Sequence, residues 1–188
     1  RIYTKAGQDP FSLFTYEKRT SVIRNSDGTV VAEIKDVEVP IGWSQVATDI
    51  LAQKYLRKAG VPQQDEQGNY LKDSQGNVLL GTEHSIRQVA KRMAGCWRFW
   101  GEKYAYFASG DDAQAYEDEM IYTLVGQLGA PNSPQWFNTG LNYAYGITGG
   151  AQGHHYVDPI SGELTASVDA YTHPQPHACF IQSLKDDL

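Results

Sequence analysis

Pro131-Asn132-Ser133-Pro134-Gln135-Trp136-Phe137-Asn138 divides this chain in two. Two prolines within four residues remove backbone donors and fix φ, so the stretch reads as a rigid turn rather than a helix, packed by Trp136 and Phe137. Before it, apolar residues recur at helical spacing. After it, residues 146–178 are rich in Gly, His, Asp and Pro and show little periodicity. Irregular stretches of that length are uncommon in compact domains and often carry function. The expected fold class is α/β, with a mainly helical portion and a small hairpin over residues 1–130. Residues 131–188 follow as loops that deliver chemistry, with most of the sheet lying outside this chain.

Working back from the turn, Asp111 with Gln114 three residues on marks a helix start, and Tyr116, Met120, Ile121, Leu124, Val125 and Leu128 line one side. Gly129 and Pro131 end it. Ser85 with Gln88 is a second capping box, opening a helix whose buried side is Ile86, Val89, Ala90, Met93, Trp97 and Trp100. Gly95 and Gly101 predict a bend or break in it. A third stripe, Trp43, Val46, Ala47, Ile50, Leu51 and Leu56, starts at Gly42-Trp43-Ser44 and stops at Gly60 and Pro62. Residues 63–80 read as a polar surface hairpin. Asn25-Ser26-Asp27-Gly28 joins two strands within residues 20–39, with Val30, Val31 and Ile34 on the return. Asp111 and Asp112 are expected to cap a helix, and Glu117-Asp118-Glu119 to form a solvated face.

Composition narrows the function classes. Hydrophobic residues are 41% and charged residues 20% of 188, which is globular rather than disordered. A net charge of -6 with dispersed Lys and Arg argues against a polynucleotide groove. No run of 18 apolar residues predicts a membrane span, and Arg1-Ile2-Tyr3-Thr4-Lys5 lacks a signal peptide's apolar segment. Two distant cysteines, Cys96 and Cys179, make no disulfide framework, so a reducing, cytoplasmic setting is expected.

Cys179 in His177-Ala178-Cys179-Phe180-Ile181 follows a proline-rich turn at the start of a strand-like run. A thiol there suits redox or nucleophilic work if accessible, and core packing if not. Cys96, beside an apolar helical stripe, reads as core. His154, His155, His173 and His177 lack metal-ligand spacing, since Pro174 and Pro176 prevent the helix that would align the last two. No metal site is expected. The Asn132-Ser133-Pro134 turn offers a hydroxyl and backbone N–H groups to an anion, or is simply a rigid packed loop. No phosphate-binding glycine loop is present.

Three stretches carry a resemblance. They are Val39-Pro40 through Gly60-Val61-Pro62, then residues 131–140, then Pro176-His177-Ala178-Cys179-Phe180 followed by Asp186-Asp187-Leu188. Together they resemble the catalytic subunit of ribonucleotide reductases, specifically the adenosylcobalamin (vitamin B12)-dependent class. The resemblance implies a ten-stranded α/β barrel preceded by a mainly helical domain. Residues 1–130 would be that domain, and residues 131–188 the start of a barrel that this chain cannot complete. The implied reaction converts ribonucleotides, as a ribonucleoside-diphosphate reductase, to deoxyribonucleotides by radical chemistry. Cys179 would be one of two thiols that reduce the substrate and become a disulfide. Ser133 would hold the substrate near its phosphate, and Ala178, where the family often has Ser, would offer a backbone contact. Asp186 would lie near a deoxynucleotide effector at a dimer edge. The implied partners are a complementary C-terminal reductase segment that holds most of the adenosylcobalamin contacts, and a thioredoxin-like reductant. Two other readings stand beside it: a non-catalytic nucleotide-binding or regulatory module, and a helical interaction domain.

Overall fold

The computed structural model describes residues 1–65 and 67–174, so Ala178, Cys179 and Asp186 lie outside the described residues. Its longest strands, β1 (Tyr16–Arg24) and β2 (Val30–Pro40), form an antiparallel hairpin from Tyr16↔Pro40 to Arg24↔Val30. The turn closes where the sequence places it, with Asn25 N–H on the Thr29 carbonyl and Gly28 N–H on the Asn25 carbonyl. Only the base of the hairpin meets the core. Val37 and Val39 are fully buried, whereas Val30 and Val31 are more than half exposed. At about 3.3 Å per residue, strands of this length run past the helices that cover their base.

The stripe over residues 43–56 is two segments of different phase. Ser44 caps α1 (Gln45–Ile50), accepting from Ala47 N–H at 3.1 Å. A π-helical turn, Leu51–Tyr55, follows, closed by Leu56 N–H on the Leu51 carbonyl at 3.0 Å. Thr48, Leu51, Ala52 and Leu56 face inward, while Val46 is 67% exposed. A single 3.6-residue period cannot phase both segments, because the wide turn carries an extra residue.

Helix α2 (Ile86–Lys103) has the expected capping box: Arg87 N–H donates to Ser85 Oγ, and Gln88 Oε1 accepts from the backbone of His84 and Ser85. The break expected at Gly95 or Gly101 does not occur, because α2 runs through both. Both glycines serve close approach instead. A Cβ on Gly95 would lie 3.0 Å from the Tyr143 ring, and one on Gly101 only 2.3 Å from Phe107. Helix α2 packs mainly on α3 (Gly110–Val125). Ser109 rather than Asp111 caps α3, exchanging hydrogen bonds with the backbone and side chain of Asp112. Ile86, Val89, Met93, Ile121, Leu124 and Val125 join Val37, Val39 and Leu51 in one core.

The acidic run on α3 is not a solvated face. Glu117 and Asp118 are buried. Glu117 pairs with Lys91 at 2.6 Å and Arg98 at 2.9 Å, and Asp118 with Arg1 at 2.6 Å. Glu119 accepts from Tyr3 N–H, Thr4 N–H and the Thr4 hydroxyl, tying residues 1–4 across the helix. Desolvation opposes its charge, but the Thr4 hydroxyl and the backbone donors of Tyr3, Thr4 and Ile2 outweigh that and hold the Glu119 carboxyl at about 2. A carboxyl depressed in the folded state stabilises above its unfolded value, near 4.3, and that contribution disappears as pH falls through the folded value. The protection factors of the Tyr3 and Thr4 amides, taken against the unstructured rate at each pH, should therefore fall between about pH 4 and pH 2, and Glu119→Gln should remove most of that acid dependence. Protection at these amides that is flat across the window would refute the tether.

Residues 63–80 form the expected surface excursion between β3 (Val61–Pro62) and β4 (Leu80–Gly81). Its two turns are built alike, Asp65 and Asp73 each accepting from the backbone two and four residues on. The irregular stretch after position 146 contains a short hairpin, β5 (His155–Val157) with β6 (Leu164–Ala166). Helices with three small antiparallel pairs make a mixed α/β architecture, and no closed barrel occurs among the described residues. No helix among them is long and apolar enough to cross a membrane.

Candidate functional site

The dividing stretch is not a plain turn. Ser133–Asn138 form α4, with Pro134 in its first turn, where a helix needs no donor from it. Gly140 then turns left-handed at φ +82 into α5 (Leu141–Tyr145). Trp136 is buried and donates its indole N–H to the Pro131 carbonyl at 3.0 Å, closing the segment on itself.

Arg92 on α2 holds this segment in place. The guanidinium, 1% exposed, donates to the Trp136 carbonyl at 2.8 Å and the Thr139 carbonyl at 2.7 Å. Its Nε donates to Glu83 at 2.7 Å. Glu83, also buried, accepts in addition from Arg57 N–H at 2.9 Å and the Tyr145 hydroxyl at 2.8 Å. The Tyr145 phenol titrates well above its ordinary range, through burial first and then the Glu83 charge, and so stays a donor. One buried ion pair thus ties α2, α4 and α5 and the segment before Glu83 together. The approach is closest at Gly140, where a Cβ would fall 2.2 Å from the Arg92 carbonyl oxygen. Only glycine fits both that gap and the positive φ.

Ser133, the site residue expected from sequence that lies among the described residues, is partly buried on the outer side of this frame. Its Oγ lies 3.1 Å from the Tyr55 hydroxyl. The Tyr55 ring stacks on Trp136, centroids 5.2 Å apart at 15°. Beside them opens an apolar cleft of about 270 Å³ whose walls include Trp43, Ile50, Tyr55, Leu124, Pro131 and Trp136.

Cys96 is packed in the core against the same segment. Burial pushes its thiol up to about 12, against a backbone hydrogen bond from Gly140, so it is an inert thiol at neutral pH. Among the described residues no group of three His, Cys, Asp or Glu side chains converges. A cleft of about 570 Å³ there has Asp9, Arg87, Lys91 and Asp118 in its walls beside Phe11 and Ile121. Drug-sized sites run to about 1,000 Å³ and are mostly apolar, and a corrin with its nucleotide tail is larger. A cleft of this size and lining among the described residues does not fit a corrinoid.

Sequence reasoning passed over Arg92, Glu83, Tyr55 and Tyr145. One signal was available. Arg92 lies three residues from Val89 and next to Met93, on the core face of α2, where an arginine requires a buried partner.

The family model described as class II vitamin B12-dependent ribonucleotide reductase matches residues 17–127. A vitamin B12-dependent ribonucleotide reductase of Agrobacterium fabrum is 50% identical over 206 aligned positions, covering 100% of this chain and 16% of the relative. The corresponding protein of Bradyrhizobium diazoefficiens is likewise 50% identical, with 100% and 16% covered. That of Rhodopirellula baltica is 30% identical over 97% of this chain, again 16% of the relative. The chain therefore spans about one sixth of the length of these relatives. With the match running through both long helices and the hairpin, the chain belongs to the class II, vitamin B12-dependent ribonucleotide reductase family.

Proposed function

We propose that this chain supplies a substrate-holding segment and one reducing thiol to a ribonucleoside-diphosphate reductase. The observation that carries the reading is the anchoring of residues 131–140 by the buried Arg92–Glu83 pair, in a chain of this family. A segment that holds a substrate at a reacting centre gains from a backbone fixed before the substrate arrives. On this reading residues 1–130 are the helical domain and residues 131–188 begin the barrel. Ser133 donates to a substrate phosphate oxygen, and Ala178 offers its backbone N–H beside Cys179. Asp186 faces a deoxynucleotide effector at a dimer edge.

Family membership implies dependence on adenosylcobalamin, and on this reading most of its contacts belong to the remaining length of the reductase. The net reaction balances without it: the ribose C2′–O bond breaks, the oxygen leaves as water, and C2′ gains hydrogen. Two thiols lose two electrons and two protons and become a disulfide. Cys179 is one of them, and a cytoplasmic thioredoxin-like dithiol returns the pair to the reduced state.

The test is turnover. A reductase polypeptide of the relatives' length that carries this chain, given adenosylcobalamin and a dithiol, should convert ribonucleoside diphosphate to its deoxy form. Nucleotide binding without product under those conditions would favour a non-catalytic regulatory module.

A further inference from the structure

We propose that Tyr55 is a positioning residue for the Ser133 hydroxyl, turning its proton toward a nucleotide phosphate. The inference rests on the reading of Ser133 as a phosphate contact and adds the group that orients it. Four features of Tyr55 converge. It closes the π-helical turn Leu51–Tyr55. An extra residue in a turn rotates everything after it by about 100°, so a plain α-helix would swing this ring away from α4. Isolated π turns of this kind recur at functional sites. The ring is then held flat against Trp136, and the Tyr55 carbonyl accepts from Arg92 at 3.4 Å. Its hydroxyl lies 3.1 Å from Ser133 Oγ.

The chemistry gives that contact a direction. A phosphate oxygen only accepts, so Ser133 must donate to it, which leaves the serine lone pairs to accept from elsewhere. Tyr55 supplies that donor, and a Tyr–Ser–phosphate relay strengthens each bond in turn. Both residues are only partly buried. The ring stack fixes the phenol without any help from Ser133. Tyr55 is therefore preset before a substrate binds, and Ser133 is the group that responds to it.

The test uses the full-length reductase carrying Tyr55→Phe, Ser133→Ala or both, with equilibrium binding of a ribonucleoside diphosphate and of the parent ribonucleoside, and steady-state kinetics. Tyr55→Phe keeps the stack and removes one hydrogen bond, so the dissociation constant and KM of the diphosphate should rise about 3- to 10-fold. The rise should fall on KM rather than kcat, and ribonucleoside binding should stay as it was. The double variant should match Ser133→Ala alone, because Tyr55 acts only through that hydroxyl. If Ser133→Ala weakens diphosphate binding and Tyr55→Phe does not, the positioning role is wrong and the Ser133 reading stands. If neither variant weakens it, the Ser133 reading itself fails. Equal loss for diphosphate and ribonucleoside, together with a lowered melting temperature, would make Tyr55 purely structural and overturn the proposal.

Discussion

Cys179→Ser in the full-length reductase should abolish deoxyribonucleotide formation while leaving nucleotide binding intact. The reason is electronic rather than steric. Reducing the ribose draws two electrons from a pair of thiols that end as a disulfide, and a serine hydroxyl forms no such bond under biological conditions. Serine is close to isosteric with cysteine and remains a hydrogen-bonding group, so the nucleotide should still bind. Loss of turnover with retained binding is the expected pair of results. Free-thiol counting before and after a single turnover provides a second measure: the wild type should lose two thiols per product, and the variant none. Cys96 cannot substitute for it, since that thiol is buried, held protonated, and packed behind Gly140. Undiminished turnover in Cys179→Ser would remove the cysteine from the reaction.

Arg92→Met should be the most destabilising single change among the described residues of the candidate site. Methionine approximates the volume of the side chain but none of its donors. Glu83 would remain buried without its ion-pair partner, and the carbonyls of Trp136 and Thr139 would lose the Arg92 donors. Breaking a buried ion pair from one side costs about 3–5 kcal/mol, a large share of the roughly 5–15 kcal/mol that holds a domain folded. Urea unfolding measures it directly. Replacing both Arg92 and Glu83 by methionine should recover much of that stability, because no unpaired charge is left. It should not restore the anchoring of α4, so amide protection across residues 133–140 should stay low in the double variant. A loss below about 1 kcal/mol in Arg92→Met would place the pair among interactions of surface strength and undo the account of the frame.

Much of the fold was legible because it rests on local rules. The Asn25-Ser26-Asp27-Gly28 turn and the Ser85–Gln88 capping box need only neighbours in sequence, and both stand where the sequence puts them. Helical spacing likewise found Ile86, Val89 and Met93, and Ile121, Leu124 and Val125, as the two faces that meet. The errors share a cause. Gly95 and Gly101 look like helix breakers until Tyr143 and Phe107 are seen pressed against them. Glu117-Asp118-Glu119 looks solvated until Lys91, Arg98, Arg1 and Thr4 arrive from distant segments. In each case the deciding atoms are far away in sequence.

The segment that divides the chain draws the same boundary. By itself the sequence marked residues 131–140 as distinct from the helical portion before them and Trp136 as a residue that packs the segment, while Ser133 drew its proposed role from the family resemblance. It misread the local form, because two prolines suggest a turn, and only the placement of Pro134 in a first turn permits a helix. The tertiary structure decided what holds that helix. Arg92, Glu83, Tyr55 and Gly140 come from four separate parts of the chain and meet only after the core has closed. Burial then makes their pairing obligatory, since a charge out of water must find its partner, and only the folded chain brings that partner within reach.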